Sequence, residues 1–409
     1  MTTTGVSVAR AEPDPVLGMS GCAWGAGLDA PAGRKQAAEG TRFQFHLATA
    51  ADGPELRAFG CGLDAPGLIR FAFDRGPDYF AALRVEGRQS EVLVCRDGRS
   101  GRVVATGHRS VKPMFINGEA TQGSYLGGLH VAGTVRGGPV LARGYAVLRE
   151  LHARQPAPFY LTTIMEDNQQ AKRVLTSGRC GLPRYHDLGR YCCMAFGLRS
   201  GRNDGRSGRV CVRQATAADA PVIVAFLQRE GRLRQFFPAY QTADFGSGGG
   251  LLSHLEWEDL LLAWCGNELI GAVAAWDQRA FRQWRVTGYA PWLRLLRRPF
   301  NLLARLKHLP DLPKPGAALN CFVLSLICIR NSERAVFAAL LEEIIRKNWN
   351  RYGFFLAGLH ERDPLLPELA ARPHFPLPSR LYAVAWEDGA ESVRRLDLGL
   401  VPYLELGSL

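Results

Sequence analysis

The 409-residue sequence contains no run of about 18 or more uncharged apolar residues, so nothing in it reads as a transmembrane helix. Residues 1–40 also lack a continuous apolar stretch. They carry Arg10, Glu12 and Asp14 among scattered Gly, Ala and Pro, which excludes a secretory pattern and predicts a mostly disordered leader. Ten cysteines are present, yet none has the C-x-x-C spacing of a zinc or dithiol redox site. His46, His108, His130, His152 and His186 are scattered without helical or strand pairing, and no metal-ligand cluster is expected. The nucleophile-elbow motif is missing as well.

What is present is an ordinary globular composition, 47% hydrophobic and 22% charged, with a formal charge of +12 and a pI near 9.4. That excess favours an anionic partner: a phosphorylated cofactor, nucleic acid or an acidic membrane surface. Cys95, Cys321 and Cys328 lie in apolar strand-like runs, where a reduced thiol behaves as a small hydrophobe. A cytoplasmic setting is expected.

The chain repeats itself. Ala-Thr-Ala-Ala-Asp-Gly-Pro at 48–54 returns as Ala-Thr-Ala-Ala-Asp-Ala-Pro at 215–221, an offset of 167 residues. Phe159-Tyr160-Leu161 with Ile164, Glu166 and Asn168 is answered by Phe354-Phe355-Leu356 with Leu359, Glu361 and Asp363, an offset of 195. A period this long exceeds any solenoid unit and has the size of a domain. The expectation is therefore two tandem copies, 41–200 and 209–409, joined by a Gly- and Arg-containing linker at 201–208.

Each copy alternates local signals in the same order. Phe43–Leu47 reads as a strand, and a helix starts near Thr49 and runs through Phe59, with Asp52 and Glu55 at its positive end. Two strands flank Asp97-Gly98, a third runs from about Tyr125 to Val131, and a helix covers about Val140 to Ala153. Phe159–Met165, a short helix over 168–177 and Tyr191–Leu198 complete the copy. The second copy matches with a hairpin at Gly266-Asn267, a strand over 321–329, a helix over 332–347 and strands over 354–359 and 381–386. The order β-α-β-β-β-α-β-α-β describes an α/β fold with a central mixed sheet flanked by helices in each copy.

Chemistry concentrates at Leu129–Gly138, where a strand runs into Arg136-Gly137-Gly138 and then a helix N-terminus. Backbone N–H groups at the positive end of a helix, with no Cβ in the way, can hold a pyrophosphate; a plain structural turn is the alternative. This strand–turn–helix resembles the acyl-coenzyme A loop of the GNAT superfamily of N-acyltransferases, Gln/Arg-x-x-Gly-x-Gly/Ala. Glu166-Asp167-Asn168 with Ala171 and Leu175 resembles that family's Asn-x-x-Ala segment, and the element order agrees over about 42–200 and 210–388. The resemblance implies an acetyl-CoA or other acyl-CoA co-substrate held by Val131, Gly133, Arg136, Gly137, Gly138, Val140 and Asn168. It departs at Pro139 and Leu141, where the pattern wants Gly and Gly/Ala.

The reaction implied is attack of an amine on a thioester, which needs a base and a proton donor for the thiolate. His130 and Glu166 are the nearest candidate bases, although a packing histidine and a glutamate beside a helix start are the plainer readings. Glu361 occupies the place of Glu166 in a copy without the glycine turn, which favours a structural role for both. No tyrosine stands near Leu175 and Thr176, where many relatives place one; Tyr185 is the substitute on offer. Asn168 reads chiefly as a helix cap. In the second copy the turn is Ile329–Arg334, without glycine, and Ser332 is the expected N-cap, so that copy is not expected to bind coenzyme A in the usual way.

A basic insertion at about 282–314 has no counterpart in the first copy. Arg282, Arg285, Arg294, Arg297, Arg298, Arg305 and Lys307 alternate with Trp284, Trp292 and leucines that gather on one side of a helix. It reads as a helix packed over the sheet or between the copies, as a membrane-surface element, or as an RNA contact. The expected activity is acyl transfer to a small-molecule or peptide amine. A non-catalytic scaffold of two decayed copies and a tRNA-dependent aminoacyl transferase are the alternatives.

Overall fold

The two Ala-Thr-Ala-Ala-Asp segments fold alike. In a computed structural model that describes residues 42–61, 69–179, 181–198, 210–246, 250–306 and 311–409, Thr49 and Thr216 each open a short 3-10 turn. The backbone N–H of each threonine donates to the carboxylate three residues on, Asp52 or Asp219, at 2.8 Å. That reciprocal cap satisfies donors a helix start leaves open. The expected leader at 1–40 and linker at 201–208 lie outside the described residues.

The first half runs β1 (Phe43–Leu47), α1 (Gly53–Cys61), β2 (Ile69–Asp74), α2 (Tyr79–Leu83), β3 (Gln89–Asp97), β4 (Val103–Ile116) and β5 (Glu119–Val131). It ends with α3 (Val140–Arg154), β6 (Tyr160–Met165), α4 (Gln169–Leu175) and β7 (Arg184–Gly197). The second half opens with β8 (Cys211–Gln214), α5 (Ala220–Gly231), β9 (Arg234–Gln235), β10 (Leu260–Cys265), β11 (Glu268–Trp276), β12 (Gln283–Tyr289) and α6 (Pro291–Leu306). It closes with β13 (Cys321–Ile329), α7 (Arg334–Asn348), β14 (Phe354–His360), α8 (Leu366–Ala370), β15 (Phe375–Ala385), α9 (Ala390–Arg394) and β16 (Val401–Pro402).

Twelve strands form one mixed sheet in the order β1-β3-β4-β5-β6-β15-β7-β14-β13-β11-β10-β8. The order is palindromic, with the last strand of each half crossed over. β15 lies beside β6, β7 lies beside β14, and β7 and β15 run antiparallel at the centre. Residues Arg42–Leu409 accordingly group as one unit. β13 is buried at every position and β11 at every position after Glu268, as strands covered on both faces must be. Alternation divides the faces. α3 and α4 cover Leu126, Tyr160, Ile164, Tyr382 and Val384. Their neighbours Tyr125, Leu161 and Leu381 point the other way and pack with Tyr191 and with Leu404 of the C-terminal segment.

Two expectations are corrected. α7 begins at Arg334, not at Ser332: Asn331 and Ser332 both take left-handed backbone angles, φ +52° and +51°, in a 3-10 turn. A serine so placed lacks the extended geometry of an N-cap, and Glu333 stands there without a side-chain cap. Arg282, counted with the basic insertion, is buried and ion-paired instead. Among the described residues, no helix is long and apolar enough to cross a membrane.

Candidate active site

β5 and β6 run parallel but keep register only at Ser124↔Tyr160 and Tyr125↔Leu161. β5 continues to Val131 and β6 to Met165, so the two strands diverge toward their C-terminal ends. β5 is also bulged: its pairing with β4 shifts between Thr106↔His130 and His108↔Gly127, and Gly128 takes φ +59°. Such a bulge bends the strand and breaks its ladder. Glycine is required here twice over. A Cβ on Gly128 would lie 2.6 Å from His108 Nδ1, and one on Gly127 would lie 2.7 Å from Nε2.

The His108 ring thus rests on the bulge, buried, with Nε2 2.5 Å from Glu86 Oε2. Glu86 is itself buried and accepts from Arg75 Nη2 at 2.9 Å and from Arg282 Nη2. Burial opposes its charge, but His108, Arg75 and Arg282 outweigh that and hold the carboxyl well below the usual range. With Nε2 on a carboxylate, Nε2 carries a ring proton and donates it to Glu86. Nδ1 has no hydrogen-bond partner. Lys112, two residues further along the same face of β4 from Ser110, is also buried, and burial pulls its ammonium down to about 8.

At the end of β5 the chain makes a 3-10 turn over Gly133–Val135, followed by Arg136 extended and Gly137 at φ +79°. Arg136 is exposed and donates from Nε to Val131 O at 3.2 Å. No atom lies within 4 Å of a Cβ built on Gly133 or Gly137, and α3 starts after Pro139 without a side-chain cap. Val140 is buried against Val104 and Val135. Leu141 does not lie over the turn; it packs against the cluster of Leu126 and Tyr145. The glycine turn and uncapped helix suit a phosphate group, one donor short at Pro139.

The structure separates the remaining candidates. His130 pairs with Thr106 beside the bulge, and burial with Arg75 and His108 nearby lowers its imidazole to about 4. Glu166 is committed to arginines, accepting from Arg190 Nε at 2.9 Å with Arg380 Nη1 at 3.8 Å. Glu361 likewise accepts from Arg190 N at 2.9 Å. Asn168 caps α4, its Oδ1 accepting from Ala171 N at 3.0 Å. Tyr185 shares a 2.5 Å hydrogen bond with Tyr145 of α3, and both pack in the cluster of Leu126, Tyr160 and Tyr382 under that helix. Burial, then Tyr145, raises the Tyr185 phenol well above its ordinary value. His108, Glu86 and Tyr145 were not anticipated. The signal was three charged or titratable residues, His108, Arg109 and Lys112, within one largely buried strand, but their partners are distant in the chain.

The second half repeats the geometry and fills it. β13 and β14 keep register only over Cys321↔Phe354 to Val323↔Leu356, and the β13 bulge puts Leu326 at φ +52°. Here the C-terminal segment enters: Leu326 N donates to Glu405 Oε2 at 2.9 Å and Ile327 N to Tyr403 Oη at 3.2 Å. Tyr403 Oη donates to the same carboxylate oxygen at 2.9 Å. Among the described residues, no group of His, Cys, Asp and Glu is arranged to hold a metal ion.

A parallel strand pair splayed at a bulge, between a glycine turn and a capped short helix, defines the acyl-CoA N-acyltransferase, or GNAT, fold, and solved structures share it. The chain superposes on the GCN5-related glucosamine N-acetyltransferase region of a fungal multi-domain GH3 β-N-acetylglucosaminidase with a TM-score of 0.55 and 12% identity, over 83% of this chain and 38% of that one. Saccharomyces cerevisiae N-myristoyltransferase with bound myristoyl-CoA gives 0.54 at 10% identity, over 91% and 87% of the two chains. A GCN5-related N-acetyltransferase from Sphaerobacter thermophilus gives 0.52 at 12% identity, over 90% and 99%. No family model and no curated protein matches the chain. At these identities the likeness is one of fold.

Proposed function

We propose that this protein is an N-acyltransferase that moves an acetyl or longer acyl group from coenzyme A to an amine of a small molecule or peptide. We further propose that it consists of two tandem copies, 41–200 and 209–409, with the single active site in the first. The carrying observation is the asymmetry between the two bulges. Gly127-Gly128 faces a buried histidine with an unpartnered nitrogen, whereas the Leu326 N–H is taken by Glu405. The palindromic strand order and the paired Thr–Asp caps support the duplication. Described cysteines that are all free suit a reducing, cytoplasmic setting.

In this reading Gly133, Arg136, Gly137 and Gly138, with the start of α3 at Val140, hold the pyrophosphate, and the end of β5 at Val131 carries the chain to it. Acyl-CoA supplies the activated thioester carbonyl. His108 Nδ1 takes the proton from the amine, and Glu86 holds its ring by Nε2 and steadies the imidazolium. This role passes to His108 from His130, whose lowered basicity suits it poorly, and from Glu166, which is ion-paired. Tyr185, kept protonated and oriented by Tyr145, is the proton donor at the cleft. Asn168 shapes the cleft by capping α4.

Calorimetry with acetyl-CoA and myristoyl-CoA, combined with thiol release over an amine panel, tests the proposal. Wild type is expected to bind one thioester per chain, Arg136→Glu to lose that binding, and His108→Ala to bind without turnover. No binding at millimolar thioester overturns the reading. Binding without turnover on any amine favours the scaffold alternative, and aminoacyl-tRNA-dependent turnover favours the transferase of charged tRNA.

A further inference from the structure

The insertion is a device of its own. β12 pairs with β2 in a two-stranded ribbon outside the main sheet, and α6 follows it. Among the side chains described in α6, up to Ala304, one stripe faces the body. Leu293, Arg297, Asn301 and Ala304 are half-buried or buried; Asn301 exchanges hydrogen bonds with the Leu312 backbone at 2.8 and 3.0 Å, and Arg297 Nη1 donates to Leu312 O at 3.2 Å. At 3.6 residues per turn, Trp292, Leu295, Leu296, Leu302 and Leu303 share an arc of about 120° on the opposite side. That arc meets solvent: Leu295 is 80% exposed, Leu302 67% and Trp292 55%. Residues 291–306 contain no Asp or Glu. Helices packed on a core hide such a stripe, so this one is built for a different medium.

A cation-rich hollow adjoins the apolar arc. A cavity of about 460 Å³ lies between α6 and the following segment, lined by Arg297, Arg298 and Lys314 against one acid, Asp311, with Leu302 at its edge. Apolar side chains directed outward, arginines beside them and a positive hollow at their border complement an anionic bilayer, with acyl chains meeting the leucines and a headgroup phosphate meeting the cations. A second copy fits worse, because face-to-face contact sets arginines against arginines with no acid on the helix. Leucines are poor platforms for bases, which weighs against RNA.

We propose that α6 lies in the interface of an anionic phospholipid bilayer, its Trp292–Leu303 face among the acyl chains and the Arg297/Arg298/Lys314 hollow on a lipid headgroup. The inference stands independently of the acyl-transfer reading. Flotation of the full chain with vesicles of phosphatidylcholine, alone or mixed with phosphatidylglycerol, tests it. Wild type is expected to float with the mixed vesicles and to release as salt rises. L295E/L302E is expected to lower affinity at least about tenfold, because the charges must enter the apolar boundary. R298E/K314E is expected to lower it about tenfold or more for the anionic vesicles alone. All four positions are exposed or line the hollow, so circular dichroism melts should match wild type. The proposal is overturned by wild type that ignores anionic vesicles or by L295E/L302E floating equally well. A dimer broken by L295E/L302E in protein that does not float, or an RNA gel shift in place of flotation, overturns it too.

Discussion

Replacing Glu86 by glutamine should expose how strongly the two halves are locked. Glu86 from the first half pairs with Arg75 and with Arg282 from the second, whose side chains are 10% and 1% exposed. Glutamine preserves the shape but leaves two buried guanidinium groups facing a neutral amide. Removing one partner of a buried ion pair costs about 3–5 kcal/mol. Both arginines also lie over the Phe73 ring, at 5.0 and 5.2 Å, which retains part of their stabilisation and puts the expectation near 3 kcal/mol, the lower end of that range. Arg282→Met should cost less, about 1–3 kcal/mol, because Glu86 keeps Arg75 and His108. In the double variant the losses should fall short of additivity by about 1–3 kcal/mol. Urea unfolding of the four proteins, read by linear extrapolation, measures each term. The sign with pH is fixed. Glu86 ionises more easily folded than unfolded, so its contribution is present above the unfolded carboxyl value of 4.5 and is lost as pH falls toward the folded value. Glu86→Gln should therefore lose less stability than wild type on acidification. A Gln variant within about 1 kcal/mol of wild type, or strictly additive losses, would refute the reasoning.

Three further outcomes are expected. Gly128→Ala combines a left-handed backbone with a Cβ 2.6 Å from His108 Nδ1, and should cost about 2–3 kcal/mol and most of the turnover. In a His108→Ala background the same change should cost clearly less stability, and an equal cost in both thermal melts argues against the contact. Burial pulls the folded Lys112 ammonium down to about 8 from its ordinary 10.5, so the folded chain binds fewer protons in that window and stability attributable to Lys112 rises with pH. The stability of Lys112→Met relative to wild type should fall between pH 7 and 10; a constant difference contradicts this. Glu405→Ala frees the Leu326 and Gly407 N–H groups it accepts from, and should loosen 401–409 to proteolysis while leaving one coenzyme A site per chain. Unchanged cleavage would show that the carboxylate does not hold the segment.

Much of the frame was legible because it is local. The Thr–Asp caps, the hairpin turns, the strand–glycine–helix at Arg136–Gly138 and the Asn168 cap each depend on residues a few positions apart. β2 and α2 went unseen, since β2 finds its partner in β12, far along the chain. At the proposed site, the glycines of the turn were readable and the proposed base was not. His130 and His108 are both single histidines on apolar strands. What distinguishes them is Glu86, which lies 22 residues before His108 and joins no local pattern. Glu166 read in sequence as a candidate base or a glutamate beside a helix start, and is held by Arg190 and Arg380 across strands that pair only in the folded sheet.

By itself the sequence determined the order of the α/β elements and two unlike turns, because periodicity and capping act within one helix turn or one strand. The tertiary structure decided the rest. A buried apolar strand is satisfied by any neighbour of suitable register, so nothing in β7 or β15 announces that they exchange places. Glu86 and Arg282, 196 residues apart, become one ion pair only in the folded chain. The folded chain also brings Glu405 onto the Leu326 bulge and leaves the Gly127-Gly128 bulge facing His108.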